Sequence, residues 1–392
     1  MIIKGGCLWL GSGFVNGFSV IIENEKIQAI VGEDEVTAAP DVNAHCCYVV
    51  PGFIDLLNHG SGGFSPEDSV ADLARFLPQT GVTSFLPSIL TNPMPVIREA
   101  ITRIADLPEE NEGAASILGI HLEGPFFNPK YGGQMASSTA CPSREIIAEL
   151  LSLAAGRLRM VTLAPEVPGV LETIPVLREA GVTVSIGHSE ADLKTYRQAR
   201  AAGVDHVTHL LNAMGNSDDD LSTYRGVKPT GLEEHILVDD GVTVDLIADR
   251  NGCHVSPTWL KIALKCKGIE RISLVTDAMP AAGLPPGRYS APDGQSITTR
   301  PDEDVARLDS GLLYGFTGTM IGALGNFMRH TGLSLAQALP AVTINPARVI
   351  GEQHRRGRLA PGFRADLVLL SEDLEVQTTI IGGRIAYQRP EP

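Results

Sequence analysis

Eight short apolar segments, separated by helix-like stretches, constrain the fold of this chain more than any other feature of its sequence. Parallel strands joined by helical crossovers form an open sheet or a closed (β/α)8 barrel, and eight such strands favour the barrel. Helices are predicted over residues 67–79, 94–106, 143–155, 168–179, 190–202 and 256–267. The predicted strands are Val49–Leu56, Thr83–Leu90, Ile117–Leu122, Met160–Ala164, Thr183–Ile186, His206–Leu211, Thr243–Ile247 and Ile272–Thr276.

Both ends of the chain carry short β-rich pieces instead, such as Ser19–Ile22 and Thr378–Ile381. This pattern predicts an α/β protein in which both termini, residues 1–50 and 350–392, form a small β-sandwich domain around a TIM-like barrel of residues 51–349. Residues 320–331 and 334–349 have a helical pattern. Residues 213–231 and 279–312 are predicted to be long irregular insertions, which in barrel enzymes usually shape the substrate site.

Composition excludes several classes of function. The net charge of −15, from 31 basic and 46 acidic residues, argues against nucleic acid or an anionic membrane as the main partner. No stretch reaches the roughly 18 apolar residues that a membrane helix needs, and the first residues lack the layout of a signal peptide. The six cysteines show no CxxC motif or regular spacing, which favours a reduced, cytoplasmic protein.

Ionisable residues stand where four of the predicted strands end. Glu123 follows the third strand, His188 the fifth, and Asp277 the eighth, while the sixth strand carries His206 and His209. In a parallel barrel these ends meet on one face. A single strand-end histidine is usually structural, but this combination is better explained by one site: a Glu and two His as ligands of Zn²⁺ or Fe²⁺, with Asp277 to accept a proton from water.

The choice between His206 and His209 stays open on the pattern alone. The two residues are three positions apart, so on a strand they face opposite sides and only one should point into the barrel.

Several motifs resemble the N-acetylglucosamine-6-phosphate deacetylases of the amidohydrolase superfamily, over nearly the whole length of the chain. Shared entry and exit motifs of the superfamily are Pro51–Asp55, Asn345–Arg348, Gly357–Leu359 and Gly362–Leu367. The motifs closer to the deacetylases are His121–Pro125, Thr162–Glu166, Gly187–Ser189, Thr208–Met214 and Val275–Ala278.

This resemblance implies the roles of individual residues. It makes Glu123, His188 and His209 the ligands of one divalent metal, Zn or Fe, and it makes Asp277 the general base and acid. A metal-bound water would then attack the acetyl carbonyl of an N-acetylated amino sugar phosphate. The residues implied to contact the substrate are Asn212, Ala213, His254, His59 and Lys228, the last reaching a neighbouring subunit's ligand in a homodimer.

The chain departs from the family in its substrate loops. The superfamily often has His-x-His after the first strand, and here Leu57 takes the first place and His59 the second, which favours a single metal. Gln134 replaces a substrate-contacting histidine, and two extra residues precede His254 around Arg250. Hydrolysis of another N-acyl amino sugar, an N-acyl amino acid or a cyclic amide therefore remains an alternative, and a non-catalytic amino sugar phosphate sensor is the third.

Overall fold

The computed structural model describes residues 1–215, 230–291 and 294–390, with residues 133–135 described by their backbone alone. Eight parallel strands pair in chain order, and a parallel bridge between Asn58 and Ala278 closes the last strand on the first. The predicted (β/α)8 barrel is therefore confirmed. Its strands are β1 (Phe53–Asn58), β2 (Val82–Ile89), β3 (Ile120–Glu123), β4 (Leu158–Leu163), β5 (Thr183–Ile186), β6 (His206–Val207), β7 (Thr243–Leu246) and β8 (Ile272–Leu274).

Successive strand residues point to opposite faces, so they divide between two cores: one shared with the surrounding helices and one inside the barrel. Val207, Val244 and Leu246 pack in the core shared with the helices, while Met160 and Ile247 belong to a separate buried cluster. The helices are α1 (Val70–Phe76), α2 (Met94–Ala105), α3 (Arg144–Leu153), α4 (Val170–Glu179), α5 (Leu193–Ala202), α6 (Leu232–Val238), α7 (Pro257–Lys267), α8 (Met320–Thr331), α9 (Leu335–Ala338) and α10 (Ile344–Val349).

The predicted β-sandwich is confirmed: one of its two sheets comes from the N-terminal residues, and the other combines strands of both termini. Their facing residues, among them Ile3, Val20 and Leu367, make a core of their own. The boundaries at residues 50 and 350 stay a prediction. The first sheet has the order Lys26–Gly32, Phe18–Glu23, Ile2–Lys4, Val42–Asn43; the second has Arg384–Gln388, Val376–Ile381, Leu367–Leu370, Tyr48–Pro51, Cys7–Trp9, Phe14–Val15.

Three predicted segments are divided in the structure, and the strand predicted over His206–Leu211 already ends at Val207. The strand predicted over Val49–Leu56 divides at Gly52, where a Cβ would overlap the Thr83 side chain, so that its first half joins the terminal sheet. The predicted third strand also divides, since Ser116–Ile117 pairs separately with β2. Residues 334–349 form α9 and α10 with the 3₁₀ turn Leu339–Val342 between them.

The insertion over residues 279–312 was wrongly predicted to be irregular. Together with the residues up to Phe316 it contains a four-stranded antiparallel sheet. Its strands are only three or four residues long, which is too short for their alternation to stand out in the sequence pattern. The strands are Arg288–Ser290, Ser296–Thr299, Val305–Leu308 and Leu313–Phe316.

Within the described ranges, none of the helices has the length and apolar character that crossing a membrane requires.

Candidate metal centre

Glu123 and two histidines meet at the carboxyl ends of the barrel strands. The Glu123 Oε1 atom lies 3.3 Å from His188 Nε2 and 3.0 Å from His209 Nε2. The two imidazole Nε2 atoms are themselves 3.1 Å apart. All three residues are buried, with exposed fractions of 2%, 8% and 1%. Three strand ends therefore bring three potential metal ligands to one point.

The backbone holds these side chains in unusual conformations. His188, His209 and Asp277 have φ angles of +52°, +33° and +49°, in the left-handed region that L-residues avoid. Each such residue costs about 1–3 kcal/mol, which the surrounding structure must offset. Five of the ten described non-glycine residues with positive φ lie in these loops, the other two being Leu211 and Ala213. Conformational strain is therefore concentrated at the site.

The ring of His188 is oriented by its surroundings. Its Nδ1 lies 2.7 Å from the backbone carbonyl oxygen of Tyr131, which can only accept a hydrogen bond, so Nδ1 carries a proton. The Phe127 ring stacks on the imidazole with centroids 4.1 Å apart. In the neutral ring, Nε2 then presents a lone pair towards Glu123, as a metal ligand must.

A third histidine, His59, contacts the other oxygen of the Glu123 carboxylate. The His59 Nε2 atom lies 3.0 Å from Glu123 Oε2 and 3.2 Å from Asp277 Oδ1, while its Nδ1 donates to the Ser88 carbonyl at 2.7 Å. The Asp277 side chain keeps 19% of its surface exposed, in contrast to the fully enclosed His59. The structure thus places His59 between the two carboxylates, and it leaves the Asp277 carboxylate within reach of a ligand from solvent.

The electrostatics of the cluster favour positive charge between the carboxylates. Burial alone would raise the pKa of Glu123, but its contacts with His188, His209 and His59 hold that pKa well below its usual range. Burial alone would lower the pKa of His209 and of His59. The neighbouring carboxylates outweigh it, so the pKa of each imidazole is raised.

These residues fit a divalent metal ion. The Nε2 atoms of His188 and His209 lie 3.1 Å apart and both face Glu123 Oε1, so one cation placed among the three atoms could be bound by all of them. One carboxylate and two imidazoles are ligands that Zn²⁺ and Fe²⁺ accept, with a coordination position left open. The identity of the metal does not follow from this donor set.

His206 and His209 lie in different places, and the expectation that only one turns inward was wrong. β6 ends at Val207, so the alternation of a strand no longer applies at His209, which joins Glu123. His206 is also fully buried. Its Nε2 lies 2.9 Å from Asp245 Oδ2 on β7, on the strand face opposite the outward-packed Val207.

The predicted substrate residues lie beside the cluster. Asn212 and Ala213 follow His209 in the same turn, and the Asn212 side chain donates to the His254 carbonyl at 3.4 Å. The His254 ring is held by Asp249, whose Oδ2 is 3.1 Å from Nδ1. Burial would raise the pKa of Asp249, but hydrogen bonds from His254 and Cys253 lower it. Lys228 lies outside the described residues, as does the side chain of Gln134.

Sequence reasoning missed three residues that support the site. Phe127 stacks on His188, Asp249 holds His254, and Glu166 binds the turn that follows His188. A signal for Glu166 was present, since it closes the motif Thr162–Glu166 at the end of β4. The contacts themselves join separate strand ends, which local pattern does not connect.

Comparisons with known proteins agree with this geometry and confirm the resemblance. A model of the amidohydrolase family matches residues 48–386. An N-acetylgalactosamine-6-phosphate deacetylase of Escherichia coli O157:H7 is 36% identical over 86% of this chain and 87% of its own. An N-acetylglucosamine-6-phosphate deacetylase of Vibrio furnissii is 32% identical over 93% of this chain and 89% of its own.

Solved structures give the same result. The crystal structure of N-acetylglucosamine-6-phosphate deacetylase from Pasteurella multocida superposes with a TM-score of 0.88 at 26% identity, covering 98% of each chain. With the match over residues 48–386, these similarities establish that the chain belongs to the amidohydrolase family.

Proposed function

We propose that the protein is a metal-dependent hydrolase that removes the acetyl group from an N-acetylated amino sugar phosphate, with N-acetylglucosamine-6-phosphate as the first candidate. The observation that carries this proposal is the meeting of Glu123, His188 and His209 at one point with the Asp277 carboxylate beside them. The names of the relatives support the substrate class.

Glu123, His188 and His209 would hold one divalent cation, with zinc or iron proposed. When bound, such a cation polarises a carbonyl and lowers the pKa of water towards neutrality. The protein supplies an enclosed cradle in which the imidazole of His188 is already turned with Nε2 towards Glu123. His59, Glu123 and Asp277 form a second group that could hold a cation, but Leu57 takes the place of a further histidine ligand of the superfamily, and one metal is therefore proposed.

Asp277 is proposed as the group that moves the proton. Its carboxylate accepts a proton from the water whose oxygen attacks the acetyl carbon. When the C–N bond breaks, the same carboxyl group returns that proton to the leaving nitrogen, so that acetate and the free amino sugar phosphate are released. The Asp277 backbone N–H donates to the Leu57 carbonyl at 2.8 Å, which fixes the residue against β1 while its side chain faces the site.

Asn212, Ala213 and His254 are proposed to hold the sugar, because they border the cluster on the side of β6 and β7. Lys228 is proposed to contact the phosphate across a homodimer interface, on the resemblance alone. Light scattering of the purified protein tests the dimer. A cytoplasmic location is proposed because the six cysteines are free thiols, which reducing compartments maintain.

A substrate panel tests the proposal. The purified protein is loaded with Zn²⁺ or Fe²⁺, and acetate release is measured with N-acetylglucosamine-6-phosphate, its galacto isomer, and both unphosphorylated sugars. We expect the phosphorylated sugars to be hydrolysed, and activity to disappear with a chelator and return with added metal.

Two results would contradict the proposal. Acetate release that persists after the metal has been removed would exclude a metal-dependent reaction. N-acyl amino acids and cyclic amides are added to the panel and followed by loss of the amide, and hydrolysis confined to them would instead establish the alternative substrate class.

A further inference from the structure

Glu166, at the end of the β4 loop, accepts three hydrogen bonds from residues that the barrel brings together. Its Oε2 accepts from the Ser189 hydroxyl at 2.7 Å. Its Oε1 accepts from the Glu190 backbone N–H at 2.8 Å and from the Asn128 side-chain amide at 3.0 Å. One carboxylate therefore joins the loop after β3 and the loop after β5.

The first set of contacts fixes the backbone of His188. Ser189 and Glu190 directly follow this histidine, whose φ of +52° is unfavourable for an L-residue. The Ser189 hydroxyl also accepts from the Ala191 N–H at 3.1 Å, which tightens the same turn. By binding this turn at two points, Glu166 helps to offset the strain at His188.

The second contact fixes the group that orients the His188 ring. Asn128 begins the 3₁₀ turn Pro129–Tyr131, and its side-chain oxygen accepts from the Lys130 N–H at 3.0 Å. The carbonyl of Tyr131, at the end of this turn, accepts the proton of His188 Nδ1 at 2.7 Å. The Asn128 N–H in turn donates to the His188 carbonyl at 3.3 Å.

Glu190 holds the same turn from its outer side. Its Oε2 accepts from the Lys130 ammonium at 2.5 Å and from the Tyr131 hydroxyl at 3.0 Å. Its Oε1 also accepts weakly from the Asn128 amide, at 3.4 Å. Glu190 therefore binds the side chains of the turn, whereas Glu166 connects the turn to the backbone and hydroxyl of the residues that follow His188.

We propose that Glu166 is a positioning residue for His188, fixing at once the strained backbone of this residue and the carbonyl that sets its tautomer. The inference rests on the proposed function, since it takes His188 as a metal ligand. Mutation of a residue that orients a ligating histidine through hydrogen bonds typically lowers metal affinity by about 10–100-fold. By contrast, His209 Nδ1 has no hydrogen-bond partner in the described part of the chain, so the orienting contacts are particular to His188.

Glu166→Gln tests this role. The amide keeps one accepting oxygen but replaces the other with an NH₂ group, so Ser189 can no longer donate to a charged oxygen, and the contacts with Glu190 and Asn128 lose their charge assistance. Co²⁺ is the probe, with affinity measured by chelator competition and ligand geometry by the visible absorption spectrum. We expect about 10–100-fold weaker Co²⁺ binding and an altered spectrum. Glu172→Gln, at an exposed site on α4, is the matched control and should leave both unchanged.

Ser189→Ala provides a second variant in case Glu166→Gln does not fold. It removes one of the three donors and should weaken Co²⁺ binding in the same direction by a smaller factor. Wild-type affinity and spectrum in the folded variants would overturn the inference, and so would a wild-type protein that binds no Co²⁺. A wild-type protein that binds Co²⁺ but releases no acetate would refute the proposed reaction, whereas a Glu166-dependent affinity would still support the positioning role.

Discussion

Glu123 is the residue at which the site converges, because three imidazole rings lie within 3.3 Å of its two carboxylate oxygens. A buried carboxylate in an apolar barrel is costly unless it is paired. Oε1 faces the two proposed metal ligands, and Oε2 faces His59. Glu123 therefore joins the proposed metal ligands to His59, which in turn contacts Asp277.

His209 and His206 offer a matched pair of substitutions. His209→Gln removes one of three proposed ligands and should lower metal affinity by more than about 100-fold, a larger loss than is typical for outer contacts. His206→Gln removes a buried partner of Asp245 and should lower the free energy of unfolding by about 1–3 kcal/mol without loss of metal. Metal content and urea unfolding are measured for both variants. Metal loss in the His206 variant but not in the His209 variant would contradict the assignment.

At this scale the sequence predicts the ends of strands better than the contacts between them. Glu123, His188 and Asp277 each follow a predicted strand. Because the strands of a barrel are parallel, their ends lie on one face, and the sequence therefore predicts that these residues lie together. His209 could be separated from His206 only through the resemblance, since the early end of β6 is not visible in the pattern. The stacking of Phe127 on His188 depends on the course of a loop.

Among the elements, the inserted antiparallel sheet supports the loop that carries His254. The Asp304 carboxylate, just before the strand Val305–Leu308, accepts from the Arg250 N–H at 2.8 Å and from the Asn326 side chain on α8 at 2.8 Å. The Asn251 side chain donates to the Asp302 carbonyl at 3.2 Å. Arg250 and Asn251, in the loop that precedes His254, are therefore held in place by the insertion.

The contact between α6 and α7 gives a pH-dependent prediction. Lys267, the last residue of α7, is buried, and its ammonium donates to the carbonyls of Ile236 and Asp239 at the end of α6. Burial lowers the pKa of Lys267 to about 8 from 10.5. Between pH 8 and 10.5 the unfolded chain binds more protons than the folded chain, so this residue makes stability rise with pH, by at most about 1.4 kcal/mol per pH unit.

Lys267→Met should abolish this contribution. The free energy of unfolding, measured in urea from pH 7 to 10.5, should rise less steeply with pH in the variant than in the wild type. Lys265→Met, at an exposed position of the same helix, serves as the control and should keep the wild-type slope. If the free energy of unfolding depends on pH equally in the wild type and in the Lys267 variant, the pKa of Lys267 is not lowered by folding.

Elements with strong local signals agree with the structure. β5 matches its prediction at both ends, in a run of five apolar or small residues that Gly181 and Gly187 flank, and α8 matches the predicted residues 320–331. The helix α6 was missed, since it is only seven residues long and follows an insertion. The division at Gly52 depends on a close approach to Thr83 from another strand, which is a tertiary contact.

On the scale of the whole molecule, the terminal module and the site lie at opposite ends of the barrel strands. The Trp9 indole donates to the Ala336 carbonyl at 3.1 Å, and the Thr379 hydroxyl donates to the Pro78 carbonyl, just before β2, at 2.6 Å. Buried Arg356 pairs with Asp366 and reaches Ser84, near the start of β2. The termini therefore brace the amino ends of the strands, and the carboxyl ends remain for chemistry.

The most direct test of the account is acetate release from N-acetylglucosamine-6-phosphate by the wild type and by Asp277→Asn at equal metal content. We predict one acetate per substrate in the wild type and a turnover rate about 10²–10⁴-fold lower in the variant, because proton transfer is lost while the metal ligands remain. Equal turnover by the two proteins, or no acetate from the metal-loaded wild type, would contradict it.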